Sequence, residues 1–135
     1  MKYNGVIQRK FSLLDKHLLE LGRHLEGVEF SVFKGDYALR CMTERALQVM
    51  VEIVIDIAER IIAVENAGPV ASAAEAIGRL VDLNVLRSSQ PYVDMVRFRN
   101  LIVHQYDEVD PEIIFSIAKN KLENFRQFRN EIDAL

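Results

Sequence analysis

One short stretch gathers the side chains best suited to phosphodiester chemistry: Arg99-Asn100-Leu101-Ile102-Val103-His104-Gln105-Tyr106. Imidazole titrates near neutrality, so His104 is a candidate to move a proton to or from a ribose hydroxyl. A guanidinium holds phosphate oxygens through paired, charge-assisted hydrogen bonds, which makes Arg99 the candidate phosphate ligand. Together they suit RNA cleavage. An Arg-His pair at this spacing is common, however, and the same residues also have a structural role open to them. His104 would then meet helix-end carbonyls, Asn100 and Tyr106 would satisfy local backbone groups, and Arg99 would pair with an acid such as Asp56.

Geometry within one helix is demanding. Five residues turn about 500°, which leaves Arg99 and His104 about 140° apart in projection. Arg97, seven residues before His104, is nearly in line with it. Either the helix distorts near His104 or the long Arg99 side chain wraps round. A carboxylate on another helix, Glu52 or Asp56, is placed to fix the Arg99 rotamer, a supporting role rather than a chemical one.

The rest of the chain offers little competing chemistry. His17 and His24 lie seven residues apart in an amphipathic run, but no His-Glu-x-x-His pattern or cysteine cluster accompanies them, so a surface or half-buried place is expected and no metal or other cofactor is called for. Cys41 is the single cysteine, which rules out an intrachain disulfide, and with Ala38, Met42 and Arg45 as helical neighbours it reads as a small core residue. The formal charge of -3 gives no global attraction for nucleic acid, so any RNA contact must be local.

The elements that must position the stretch follow from periodicity. With 135 residues, half of them apolar and 27% charged, the chain reads as a single folded domain, residues 1–135. The most apolar run, Ala46 to Val64, is interrupted by Gln48, Glu52, Asp56, Glu59 and Arg60, so no membrane span is expected. The N-terminus lacks the unbroken apolar core of a secretory signal, and the cytoplasm is the expected compartment.

Ile7, Phe11, Leu14, Leu18, Leu21 and Leu25 mark a first helix from Val6 to Leu25. Gly27, Gly35, Phe30 and Phe33 break the pattern and read as a loop that ends at Asp36, a helix cap. A long central helix runs from Tyr37 to about Ala67, stopped by Asn66, Gly68 and Pro69. Ser72-Ala73-Ala74-Glu75 has capping-box spacing and opens a third helix carrying Ile77, Leu80, Val81 and Leu83. Ser89-Gln90-Pro91 opens a fourth, with Val93, Val96, Leu101 and also Met95 facing inward. After a turn ending at Asp110-Pro111, a fifth helix continues to about Ile132. The fold class is all-α, an up-down bundle of about five helices.

Phe98-Arg99-Asn100-Leu101-Ile102-Val103-His104-Gln105-Tyr106, followed by Asp110-Pro111-Glu112, resembles the motif region of HepT-like HEPN proteins. The helix from Glu44-Arg45-Ala46-Leu47-Gln48 through Asp56-Ile57-Ala58-Glu59, the Ala74–Leu86 segment and the C-terminal helix resemble that family in order and spacing, so the likeness covers nearly everything after Tyr37. It implies a metal-independent endoribonuclease toxin of a HepT/MntA-type toxin–antitoxin pair. In that light Arg99 binds the scissile phosphate, His104 is general acid or base, and Asn100 orients the pair or the substrate.

The resemblance further implies that Tyr106 is a regulatory hydroxyl, adenylylated by a cognate nucleotidyltransferase antitoxin. It also implies a homodimer, whose two-fold axis would bring two arginines and two histidines into one cleft and offset the overall acidity there. RNA, a second copy and the antitoxin are thus the expected partners. An alternative assigns the chain as a noncatalytic helical subunit that positions substrate for a nucleotidyltransferase; a third reading is a simple dimeric scaffold.

Overall fold

The computed structural model describes residues 3, 5–104 and 109–135, and in them seven helices and no strand. They are α1 (Val6–Leu25), α2 (Phe30–Gly35), α3 (Tyr37–Val64), α4 (Ala73–Asp82), α5 (Tyr92–His104), α6 (Pro111–Asn120) and α7 (Leu122–Asp133). Gln105, Tyr106, Asp107 and Glu108 lie outside the described residues.

Helix starts follow local chemistry. Asp36 accepts a hydrogen bond from Leu39 N (3.0 Å), Ser72 from Glu75 N (3.1 Å) and Asp110 from Glu112 N (2.9 Å) with Pro111 at the first helical position. Each cap satisfies one of the donors that a helix N-terminus leaves over. Glu75 also reaches back to Ala71 N (2.8 Å), a variant of the capping box. At the other end of α3, Asn66 takes a left-handed conformation (φ 53°), and the helix closes at Val64, three residues earlier than its apolar pattern predicts.

The 28 residues of α3 form the axis of the bundle and touch every other helix. Its stripe of Leu47, Met50, Val51, Val54, Ile57, Ala58 and Ile61 is almost wholly buried. Phe11, Leu14, Leu18 and Leu21 of α1 pack on one side, Ile77 and Leu80 of α4 on another. No helix among the described residues is long and apolar enough to cross a membrane.

Two elements differ from the periodicity-based expectation. The segment before Asp36 is not a loop, because Phe33 is fully buried and its ring lies 5.0 Å from Phe115 of α6, with Phe30 at 5.5 Å from the same ring. Aromatic residues three apart share a helix face, so docking both on Phe115 winds the segment into α2. The predicted fifth helix is two helices, α6 and α7, broken at Lys121 (φ -117°, ψ 3°). The break lets Phe115 face α2 while Phe128 turns to Phe11 and Tyr92, with ring separations of 6.4 and 5.4 Å.

Tyr92 anchors the first turn of α5. Its ring is fully buried and its hydroxyl donates to Glu131 of α7, whose other carboxylate oxygen accepts from Arg87 N (2.9 Å). Burial, reinforced by that carboxylate, pushes the phenol well above its ordinary value, so it acts only as a donor. α5 is therefore held at its start by α7 and along its length by α3 and α4.

Candidate active site

Arg99 and His104 both sit on the second half of α5, and they leave it in different directions. Met95, Val96 and Phe98 of this helix are buried; Asn100, Leu101, Val103 and His104 are exposed; Arg99 is half-buried. Arg99 points into a cleft of about 320 Å³ walled by Glu52, Ile55, Asp56 and Glu59 of α3 and Ala73 at the start of α4. His104 does not line that cleft. It occupies the last turn of α5.

The Arg99 Nε is buried and has no hydrogen-bond partner among the described residues. Three carboxylates share its cleft, spaced four and three residues apart on one face of α3. Two of them are engaged elsewhere: Asp56 meets Lys10 Nζ of α1 at 3.5 Å, and Glu52 Oε1 accepts from Gln48 Nε2 at 3.1 Å. Sequence reasoning singled out Glu52 and Asp56 as carboxylates placed to reach Arg99, and the fold puts both beside it. Glu59 and Ala73 went unnoticed, because only the packing of α3, α4 and α5 brings them to the same place.

Arg97, nearly in line with His104 on the helix, is exposed and pairs with Asp94 on the preceding turn (3.3 Å). Tyr106 and Gln105 are outside the described residues, so the motif is placed here only up to His104.

Three expectations change. Leu101, predicted to face inward, is 42% exposed, and Val103 beside it is 45% exposed, so the distal half of α5 presents apolar side chains around His104. Helix position explains this: α3 and α4 cover the face carrying Val96 and Arg99, while Leu101 and His104, three residues apart, share the opposite one. Val93 is only half-buried, in contrast to Met95 and Val96. Cys41 is exposed rather than buried, because it shares a solvent-facing stripe of α3 with Tyr37, Ala38 and Arg45 while Leu39, Met42 and Thr43 face the core.

His17 is half-buried and His24 exposed, its Nδ1 2.8 Å from the carbonyl oxygen of Glu20. Among the described residues, no three His, Cys, Asp or Glu side chains are grouped to hold a metal ion. A separate apolar cavity of about 150 Å³ opens between α3, α5, α6 and α7, with Met95, Phe98 and Phe125 in its wall; it shares no residue with the Arg99 cleft.

The ribonuclease HepT-like family profile matches residues 14–132. The mRNA nuclease HepT of Shewanella oneidensis is 33% identical over 108 residues, 77% of this chain and 80% of that protein. The tRNA nuclease HepT of Aphanizomenon flos-aquae is 23% identical over 131 residues, 96% of this chain and 88% of that one. Among solved structures, a tri-AMPylated HEPN toxin of Shewanella oneidensis in complex with MNT antitoxin superposes with a TM-score of 0.88 at 28% identity, covering 98% of this chain and all of that chain. A toxin–antitoxin structure with AMP-PNP gives the same TM-score and coverage at 27% identity.

Proposed function

Because this chain belongs to the ribonuclease HepT-like family, we propose that it is a metal-independent endoribonuclease toxin that cleaves RNA with Arg99 and His104. The chain would act in the cytoplasm as one helical domain, residues 1–135, in pairs, under the control of a nucleotidyltransferase antitoxin. The observation that carries this reading is the distal face of α5, where exposed Leu101 and Val103 flank an exposed His104. Apolar side chains of that size invite cover, and a second copy related by a two-fold axis covers them while bringing two His104 imidazoles into one groove, to which each long Arg99 side chain has to reach round α5 from the opposite face.

In such a groove the reaction needs few parts. Neutral His104 imidazole takes the proton of the ribose 2′-hydroxyl as its oxygen attacks phosphorus. The bond from phosphorus to the 5′-oxygen breaks, and protonation of that oxygen by an imidazolium of the paired site releases a 5′-hydroxyl and a 2′,3′-cyclic phosphate. Arg99 holds the non-bridging oxygens through its terminal nitrogens. Asn100, exposed one residue on, is placed to orient the substrate.

Control would fall on Tyr106. Each AMP attached to that hydroxyl, two residues after His104 in the chain, would add a phosphate charge and a bulky nucleoside that compete with RNA for Arg99. The tri-AMPylated state of the Shewanella oneidensis toxin supports this role.

Expression without the antitoxin tests the proposal. The wild type should arrest growth and fragment cellular RNA, and His104→Ala should do neither; harmlessness of both, with intact RNA, would favour a noncatalytic subunit of a nucleotidyltransferase instead. Intact-mass measurement after incubation with the antitoxin and ATP should show AMP additions that vanish in Tyr106→Phe. An unchanged mass for the wild type would remove the regulatory role.

A further inference from the structure

We propose that Glu52 of α3 is the positioning residue for Arg99: the structure leaves the buried Nε without an acceptor among the described residues, and rotation of the Glu52 carboxylate within their shared cleft would supply one and fix the guanidinium for the RNA phosphate, a role that rests on the nuclease reading above. The cleft supplies the reason. A desolvated N–H without an acceptor is unfavourable, and acceptors stand across the same small space.

Of the three carboxylates, Glu52 is half-buried, whereas Asp56 and Glu59 are exposed and Asp56 is already paired with Lys10. A partly desolvated carboxylate couples more strongly to a guanidinium than a hydrated one. Accepting from Gln48 occupies Glu52 Oε1 and leaves Oε2 for Arg99, because a carboxylate has two acceptor oxygens. Gln48, one turn earlier on α3, then steadies the carboxylate as the carboxylate steadies the arginine. With Nε held from the α3 side, the terminal nitrogens of Arg99 are directed out of the cleft, which answers the angular mismatch with His104 without distorting α5.

The test has two independent arms on the full chain. In ¹⁵N-edited NMR, with the Arg99 Nε–H assigned by its loss in Arg99→Lys, hydrogen exchange should be about tenfold faster in Glu52→Gln than in the wild type, while Glu59→Gln leaves it unchanged. In RNA cleavage, Glu52→Gln should lower kcat/KM about tenfold with unchanged melting temperature, and Glu52→Asp should recover part of the loss. Equal Nε–H exchange in wild type and Glu52→Gln overturns the assignment. If the wild type cleaves no RNA, the nuclease reading fails, and the exchange measurement still decides whether Glu52 holds Arg99.

Discussion

Arg99 and His104 are divided by the helix that carries them, one turned into a carboxylate-walled cleft and the other exposed at the helix end. That division gives each a separate experimental signature. His104 is exposed, and substitutions at such positions change stability by about 0.5 kcal/mol or less. His104→Ala should therefore lower RNA cleavage by about 10²- to 10⁴-fold, the usual contribution of a general acid or base, with no shift in thermal melting. A parallel loss of activity and stability would point to a structural histidine. Arg99→Lys keeps the charge but removes Nε and the planar fork, so a melting curve together with a salt titration of RNA binding separates its two duties. Weaker binding that a lower salt concentration does not restore marks a geometric contribution rather than a simple charge effect.

At the scale of elements, two short-range devices hold α5 and its neighbours in place. Tyr92 and Glu131 fasten the start of α5 to α7 through a donor that burial keeps protonated. Phe33 fastens α2 to α6 through the Phe115 ring. Phe33→Ala empties a fully buried aromatic site and should cost about 3–5 kcal/mol in chemical denaturation. Asp110→Ala, which removes only a cap, should cost about 1 kcal/mol. Equal costs for the two would contradict the view that tertiary docking, and not local propensity, makes α2 a helix. Caps were legible in the sequence because Asp36, Ser72 and Asp110 act on backbone donors two or three residues away. The winding of α2 and the break at Lys121 were not, because their cause is a ring more than eighty residues from Phe33 and a division of labour between Phe115 and Phe128.

For the whole molecule, the proposed pairing rests on the distal face of α5. A charge in place of Leu101 would sit at the centre of the proposed two-copy groove, so Leu101→Asp should shift the protein to a monomer in sedimentation and remove RNA cleavage together, while leaving the far-ultraviolet helical signal intact. A dimer that persists in Leu101→Asp, with cleavage unchanged, would place the active groove elsewhere. The overall charge of -3 bears on the proposed substrate too: the molecule's net field does not attract RNA, so the proposal relies on a local doubling of Arg99 and His104.

The sequence by itself determined the class of the fold, the starts of its main helices and the residues Arg99, Asn100, His104 and Tyr106 as candidates, since periodicity, caps and side-chain chemistry are local properties. It also carried the family likeness. Only the tertiary structure decided where Arg99, Asn100 and His104 go. Whether Leu101 faces the core or solvent depends on which side of α5 is covered by α3 and α4, and the cleft around Arg99 is assembled from residues on two other helices, Glu52 to Glu59 of α3 and Ala73 of α4. Packing between helices sums many weak contacts over long sequence separations, so the surroundings of Arg99, unlike its identity, had to await the fold.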